Sequence, residues 1–287
     1  MSWPLKMVEA SKNEMLSYPI LIGGCPRSGT TALQQLLNVD ERVYISSEED
    51  LTNSIKIISS LLSTRERREK KMQGFLRDLS VRESLSKESL HSHNFTSNSI
   101  WPVIRYIYKH HHAKIHPGNE LLLWGDKYPL YYKSLAKKID EGWVSYLHIT
   151  RNPFDVVNSM IRRTKNARQG KDWWRAITEI DDMISAWSDA YTMIRKVDNR
   201  TNVLEVQYEE LVFNTSGFIC DFKKFKDFEL RLGEVLVSDT NKHYERDFLT
   251  NDVTAKIMGS KSVQHYIRRF SNNKNFPFVA ESLNAFY

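Results

Sequence analysis

The chain has 287 residues, 41% hydrophobic and 26% charged, an ordinary globular composition with enough length to bury a substantial core. Forty-one basic against thirty-five acidic side chains leave a formal charge of +6, which suits an anionic ligand or a solvated basic surface; no aromatic-basic module of a nucleic-acid binder accompanies it. Two cysteines, Cys25 and Cys220, exclude a disulfide framework, and with no signal-peptide core near the start and no apolar run of membrane-span length, a soluble cytoplasmic protein is expected.

In chain order, residues 18–24 (YPILIGG) form a short apolar run ending in glycines and predict a buried strand. Residues 29–38 (GTTALQQLLN) follow with Leu33, Leu36 and Leu37 at helical spacing, and Val43-Tyr44-Ile45 reads as a second short strand. The stretch 51–118 breaks this rhythm: it is helical and polar, its RERREKK run at 65–71 reads as a solvated helix face, and it is expected to be an insertion. Residues 120–125 (ELLLWG) predict a strand, 129–139 a helix and 143–150 (WVSYLHIT) a strand. Asn152 and Pro153 supply a cap and a first-turn proline for a helix with Phe154, Val157 and Ile161 on one face. A helix over about 173–197, a strand over 202–208 and a polar, irregular tail from about 240 complete the order. No repeat or linker interrupts it, so residues 1–287 are expected to be one α/β domain, with a central mainly parallel sheet and helices on both faces.

Between the first strand and its helix, Gly24 to Thr31 read G-x-x-x-x-G-T-T, the spacing of a phosphate-binding loop with Thr30 where a nucleoside-triphosphate site has lysine. Strand, tight turn and helix N-terminus together make an anion site; Arg27 adds a charged fork, and Ser28, Thr30 and Thr31 add hydroxyls. The strand at 143–150 runs into Arg151 rather than a Mg²⁺-binding acid, and Ser159 follows eight residues later on the next helix. Arg151 and Ser159 are placed to grip a second phosphate, although strand-end arginines and helix serines are also common structural features. His110, His111 and His112 are successive residues of a helical stretch; they point in different directions and cannot chelate one ion together.

The loop P-R-S-G-T-T at 26–31, the string R-N-P-F-D-V-V-N-S at 151–159, G-D-K-Y-P at 125–129 and Y-E-E-L at 208–211 stand in the order found in sulfotransferases that use 3′-phosphoadenosine 5′-phosphosulfate, and the chain resembles that family over about half its length. The resemblance implies a three-layer P-loop-like fold and transfer of a sulfuryl group to a hydroxyl-bearing acceptor (a carbohydrate, tyrosyl peptide or small alcohol) without a metal. By that resemblance Arg27, Ser28, Gly29, Thr30 and Thr31 bind the 5′-phosphosulfate, Arg151 and Ser159 the 3′-phosphate, and Tyr208 lies near the adenine. Lys127 and Arg27 would neutralise charge in the transfer. The string V-Y-I-S-S-E-E at 43–49 looks like the segment that carries the base in the tyrosylprotein group, with Glu48 on the catalytic position, Glu49 as its rival neighbour and His93 as a minor alternative. Two departures stand out: Ala32 replaces a tryptophan that often follows G-T-T, and no R-K-G segment is recognisable, Ser260, Lys261 and Ser262 being the available substitutes. A nucleotide-type kinase with a degenerate loop, or a non-catalytic nucleotide-binding module, are the competing readings.

Overall fold

The apolar run after Pro19 becomes strand β1 (Ile20–Gly24), every residue of which is buried. The computed structural model describes residues 18–48, 51, 100–134, 144–169, 177–197, 200–232 and 247–284, and in it β1 is the middle of a five-stranded sheet. Helix α1 (Thr30–Leu37) leads to β2 (Val43–Ser47); β3 (Leu123–Lys127), β4 (Ser145–Thr150) and β5 (Val203–Gln207) complete the order β2-β3-β1-β4-β5, all paired parallel. Parallel strands are covered on both faces, which is why β1 and β4 read as nearly continuous apolar runs. The chain builds β2 and β3 on one side of β1, then β4 and β5 on the other. The sheet therefore reverses direction between β1 and β4, where open α/β sheets form a crevice at their carboxyl ends.

Alternation along β5 separates the two faces. Val206 joins a core with Leu33, Leu36 and Leu37 of α1 and with Phe218 and Phe222 of α6 (Thr215–Lys226). Glu205 and Gln207 point the other way. There Arg195 of α4 (Ile180–Val197) pairs with Glu205, and Tyr266 of α8 (Lys261–Phe270) donates its hydroxyl to Gln207 Oε1 at 3.4 Å. Trp187 stacks on Tyr191 with ring centroids 5.1 Å apart, and Tyr266 meets both rings edge-on. Burying each such large side chain contributes roughly 1.5–3 kcal/mol. Helix α3 (Pro153–Arg168) starts as expected, with Asn152 Oδ1 accepting from the Phe154 amide at 3.0 Å and Pro153 in the first turn.

Several expectations are corrected. The tail is not irregular: α7 (Asn251–Gly259), α8 and α9 (Pro277–Asn284) bury Val253, Ile257, Val263, Tyr266, Ile267, Phe270, Val279 and Leu283. Their apolar positions recur every three or four residues, interrupted in α7 by Asp252 and Lys256, in α8 by Lys261, Arg268 and Arg269, and in α9 by Glu281, Ser282 and Asn284. The strand expected at 120–125 lies two to three residues later and takes in Asp126 and Lys127, both buried. The helix expected from Pro129 is a 3₁₀ turn over Pro129–Ser134, with 135–139 outside the described residues. Tyr208 opens α5 (Tyr208–Phe213) rather than closing β5, and the helix expected from 173 is described from Ile180.

The chain divides into two compact units, Met1–Glu48 with Glu120–Tyr287, and Glu49–Asn119. The described part of the second is Leu51 and residues 100–119, with helix α2 (Ile100–Ile115) carrying buried Ile104, Tyr108 and His112 at helical spacing. Glu49, the basic run at 65–71, His91 and His93 lie outside the described residues.

Candidate active site

The glycine-rich turn after β1 closes with the Ser28 amide donating to the Cys25 carbonyl at 3.0 Å. Arg27 sits at φ 73° and Gly29 at φ 103°, so two left-handed residues carry the chain from strand to helix. A Cβ at Gly29 would run into the ring of Tyr208, which packs against the loop. Gly29 is the N-cap of α1 and offers no side chain, leaving the first-turn amides of α1 without a side-chain cap.

Arg151 follows β4 and lies over the Tyr208 ring, its guanidinium carbon 4.3 Å from the centroid. Its Nη1 reaches the Arg27 carbonyl at 3.5 Å, and Arg27 Nε in turn donates to Ser159 Oγ at 3.1 Å. The loop, the end of β4 and the second turn of α3 are thereby tied together. Behind Arg151, its carbonyl accepts from Trp187 Nε1 at 2.9 Å, and the Asn152 amide donates to Glu209 Oε1 at 2.9 Å. Complete burial pushes the Glu209 carboxyl up to about 7, against the opposing pull of the Asn152 amide and the Arg151 charge. Asn152 Nδ2 donates to both the carbonyl and the hydroxyl of Ser282 in α9, at 3.1 and 2.9 Å.

At the other wall, Glu48 lies just past the end of β2 at φ 60°. Its amide donates to the Lys127 carbonyl at 2.7 Å, and Lys127 Nζ donates to its Oε1 at the same distance. Lys127 is 2% exposed and Glu48 44%, so a buried cation holds a carboxylate that faces solvent. Beneath them, buried Asp126 accepts from the Ser46 hydroxyl at 2.7 Å and from the Tyr131 hydroxyl.

A cleft of about 490 Å³ runs between these walls, with Arg27, Gly29, Thr30, Thr31, Glu48, Arg151, Ser159 and Tyr208 all on its surface. Two of the residues that the family resemblance assigns to the site are not on that surface. Lys127 reaches the cleft only through Glu48, and the Ser28 hydroxyl is buried behind the loop with no hydrogen-bond partner among the described residues. Ser260 and Ser262 bond instead to Ser188 and Thr192 of α4, at 3.0 and 3.2 Å, and neither they nor Lys261 lines the cleft. Sequence reasoning missed Asp155, Arg162, Arg163 and Asn166, which line the cleft along α3 with Ser159. Their spacing of three to four residues was the available signal. Among the described residues, four arginines against two carboxylates make the cleft basic.

A parallel sheet with a glycine-rich loop and a strand-end arginine at its reversal point defines a P-loop-like α/β protein with a basic cleft. A model of the sulfotransferase family matches residues 19–221, and the chain belongs to that family. Among solved structures it resembles the sulfotransferase domain of the Synechococcus PCC 7002 olefin synthase, at 18% identity over 86% of this chain and 94% of that one, with a TM-score of 0.48. Mouse sulfotransferase SULT7A1, solved with PAP, is 13% identical over 93% of this chain and 83% of that one, with a TM-score of 0.42. A search of curated proteins finds no match. No described helix is long and apolar enough to cross a membrane.

Proposed function

We propose that the protein moves a sulfuryl group from 3′-phosphoadenosine 5′-phosphosulfate to the hydroxyl of an acceptor. The observation that carries this reading is that Glu48, held by Lys127, opens onto the same basic cleft as Arg27, Arg151 and Ser159. The uncapped first turn of α1 with the Thr30 and Thr31 hydroxyls suits the 5′-phosphosulfate, and the unpartnered Ser28 hydroxyl lies directly behind it. Arg151 and Ser159 suit the 3′-phosphate, and Tyr208, already packed against Gly29 and Arg151, suits the adenine side.

Glu48 takes the acceptor's hydroxyl proton as the acceptor oxygen forms its bond to sulfur. The sulfur–oxygen bond to the 5′-phosphate breaks on the opposite side; Arg27 balances the charge left on that phosphate, and Lys127 balances the charge of Glu48. These cations do the work a metal would do, so transfer requires none. The acceptor is a hydroxyl on a carbohydrate, a tyrosyl peptide or a small alcohol. Two unpaired cysteines, Cys25 and Cys220, suit a cytoplasmic setting.

Calorimetry with 3′-phosphoadenosine 5′-phosphate and with ATP–Mg²⁺ tests the donor, and transfer of labelled sulfate to an acceptor panel in EDTA tests the chemistry. Preference for ATP–Mg²⁺, or activity that EDTA abolishes and Mg²⁺ restores, supports a kinase instead. Nucleotide binding without transfer to any acceptor supports a binding module.

A further inference from the structure

Helix α8 has two unlike faces. Val263, Tyr266, Ile267 and Phe270 are buried, whereas Lys261, His265, Arg268 and Arg269 recur on the opposite side at intervals of four, three and one. Together with Tyr191, Thr192 and Arg195 of α4 they line a groove of about 840 Å³. It shares no lining residue with the cleft described above.

The groove carries four permanent cations, and among the described residues no carboxylate lines it. Glu205 lies beneath and pairs with both Arg195 and Arg269, one negative charge against two guanidiniums. Lys261 and Arg268 have no ion-pair or hydrogen-bond partner among the described residues and are exposed. A face that serves only solubility mixes both signs of charge; this one does not. Two of its arginines are already positioned by a buried acid, which lowers the ordering cost of using them on a ligand.

Lys261 and Arg268 are seven residues apart on one helix, about 10 Å along its axis. A single phosphate or sulfate cannot span that distance, whereas a chain with several anionic groups can. Among the described residues Tyr191 is the one lining aromatic other than the imidazole of His265, and it is buried under Trp187, so they offer no exposed stacking platform of the kind single-stranded nucleic acids use. We infer that this groove between α4 and α8 is a second anion site, separate from the donor cleft, that binds an oligomer carrying several sulfate or phosphate groups.

The test is fluorescence anisotropy on the full chain at about 0.15 M salt, where exposed charges are screened beyond about 8 Å. One arm uses a labelled sulfated hexasaccharide and the other a labelled polyphosphate of matched charge. Binding is expected in at least one arm, and the tighter arm identifies the source of the anions. The double change Lys261→Glu with Arg268→Glu should weaken binding tenfold or more, while Arg151→Ala leaves it within about twofold. Single alanine changes at Lys261 and Arg268, both exposed, repeat the test with a smaller loss and no threat to folding. Absence of binding in both arms overturns the inference. So does unchanged binding by the double and single variants, or a loss on Arg151→Ala that places the oligomer in the donor cleft.

Discussion

Lys127 and Glu48 meet twice, once through their side chains at 2.7 Å and once through the Glu48 amide and the Lys127 carbonyl, also at 2.7 Å. The backbone contact continues the β2–β3 pairing one residue past the strand and sets the side-chain contact in place. Glu48→Gln keeps size and hydrogen-bonding reach but cannot accept a proton. Turnover should fall by about 10²–10⁴-fold with donor affinity nearly unchanged, read as kcat against the Kd for 3′-phosphoadenosine 5′-phosphate. Full activity in Glu48→Gln together with a dead Glu49→Gln would move the base by one residue.

Arg151 should decide which nucleotide is held. Losing a charge-assisted hydrogen bond costs about 1.5–3 kcal/mol, so Arg151→Ala should weaken 3′-phosphoadenosine 5′-phosphate at least tenfold. The same change should alter adenosine 5′-phosphate binding much less. Calorimetry on both ligands checks it, and equal affinity of the native chain for the two would remove the 3′-phosphate from this site.

Gly29→Ala tests the loop by stability rather than activity. The residue would hold φ 103° and place a methyl group against the Tyr208 ring. Strain and overpacking of this kind together cost about 2–4 kcal/mol. Gly118 provides the comparison, since its φ is 88° but a Cβ there meets nothing within 4 Å. Urea unfolding should show Gly29→Ala clearly less stable than Gly118→Ala; equal losses would mean that the contact with Tyr208 is unimportant.

The buried Glu209 carboxyl predicts a pH dependence of stability. Its folded value of about 7 lies above the ordinary 4.5, so the native state holds the proton more tightly. The stabilisation is therefore complete below about pH 4.5 and is lost as pH rises through 7. At about 1.4 kcal/mol per unit, Glu209→Gln should gain on the native chain by about 2–3 kcal/mol across that window. His148, whose imidazole burial pulls down to about 3, acts with the opposite sign but equally in both proteins, so it cancels in the difference. A difference that stays flat from pH 4.5 to 7 would contradict this account of Glu209.

The phosphate loop was legible because its geometry demands glycine and hydroxyls at fixed offsets within eight residues. Arg151 and Ser159 were legible because a strand end and two helical turns fix their separation. The pairing of Glu48 with Lys127 was not, since the two lie 79 positions apart in the chain and the register of β2 on β3 decides it. Ser28 shows the limit of motif reading: its place in the string is right for an anion, yet the turn folds its hydroxyl inward. Helices α7 to α9 were missed because each is only eight to ten residues long and buries just two to four apolar side chains.

The clasp between Asn152 and Ser282 bears on where this protein can be cut. One side chain caps α3 through its oxygen and holds α9 through its nitrogen, while the Phe278 and Val279 amides anchor α9 on Glu210 at 2.9 and 3.4 Å. The family match ends at residue 221, well before α9 begins. A clone trimmed to that boundary would retain every recognisable motif yet leave Asn152 and Glu210 facing water. Such a fragment should bind 3′-phosphoadenosine 5′-phosphate at least tenfold more weakly than the 287-residue chain, and its Arg151 region should exchange amide hydrogens faster. A loss of that size would make the domain's signature shorter than the piece that holds a nucleotide.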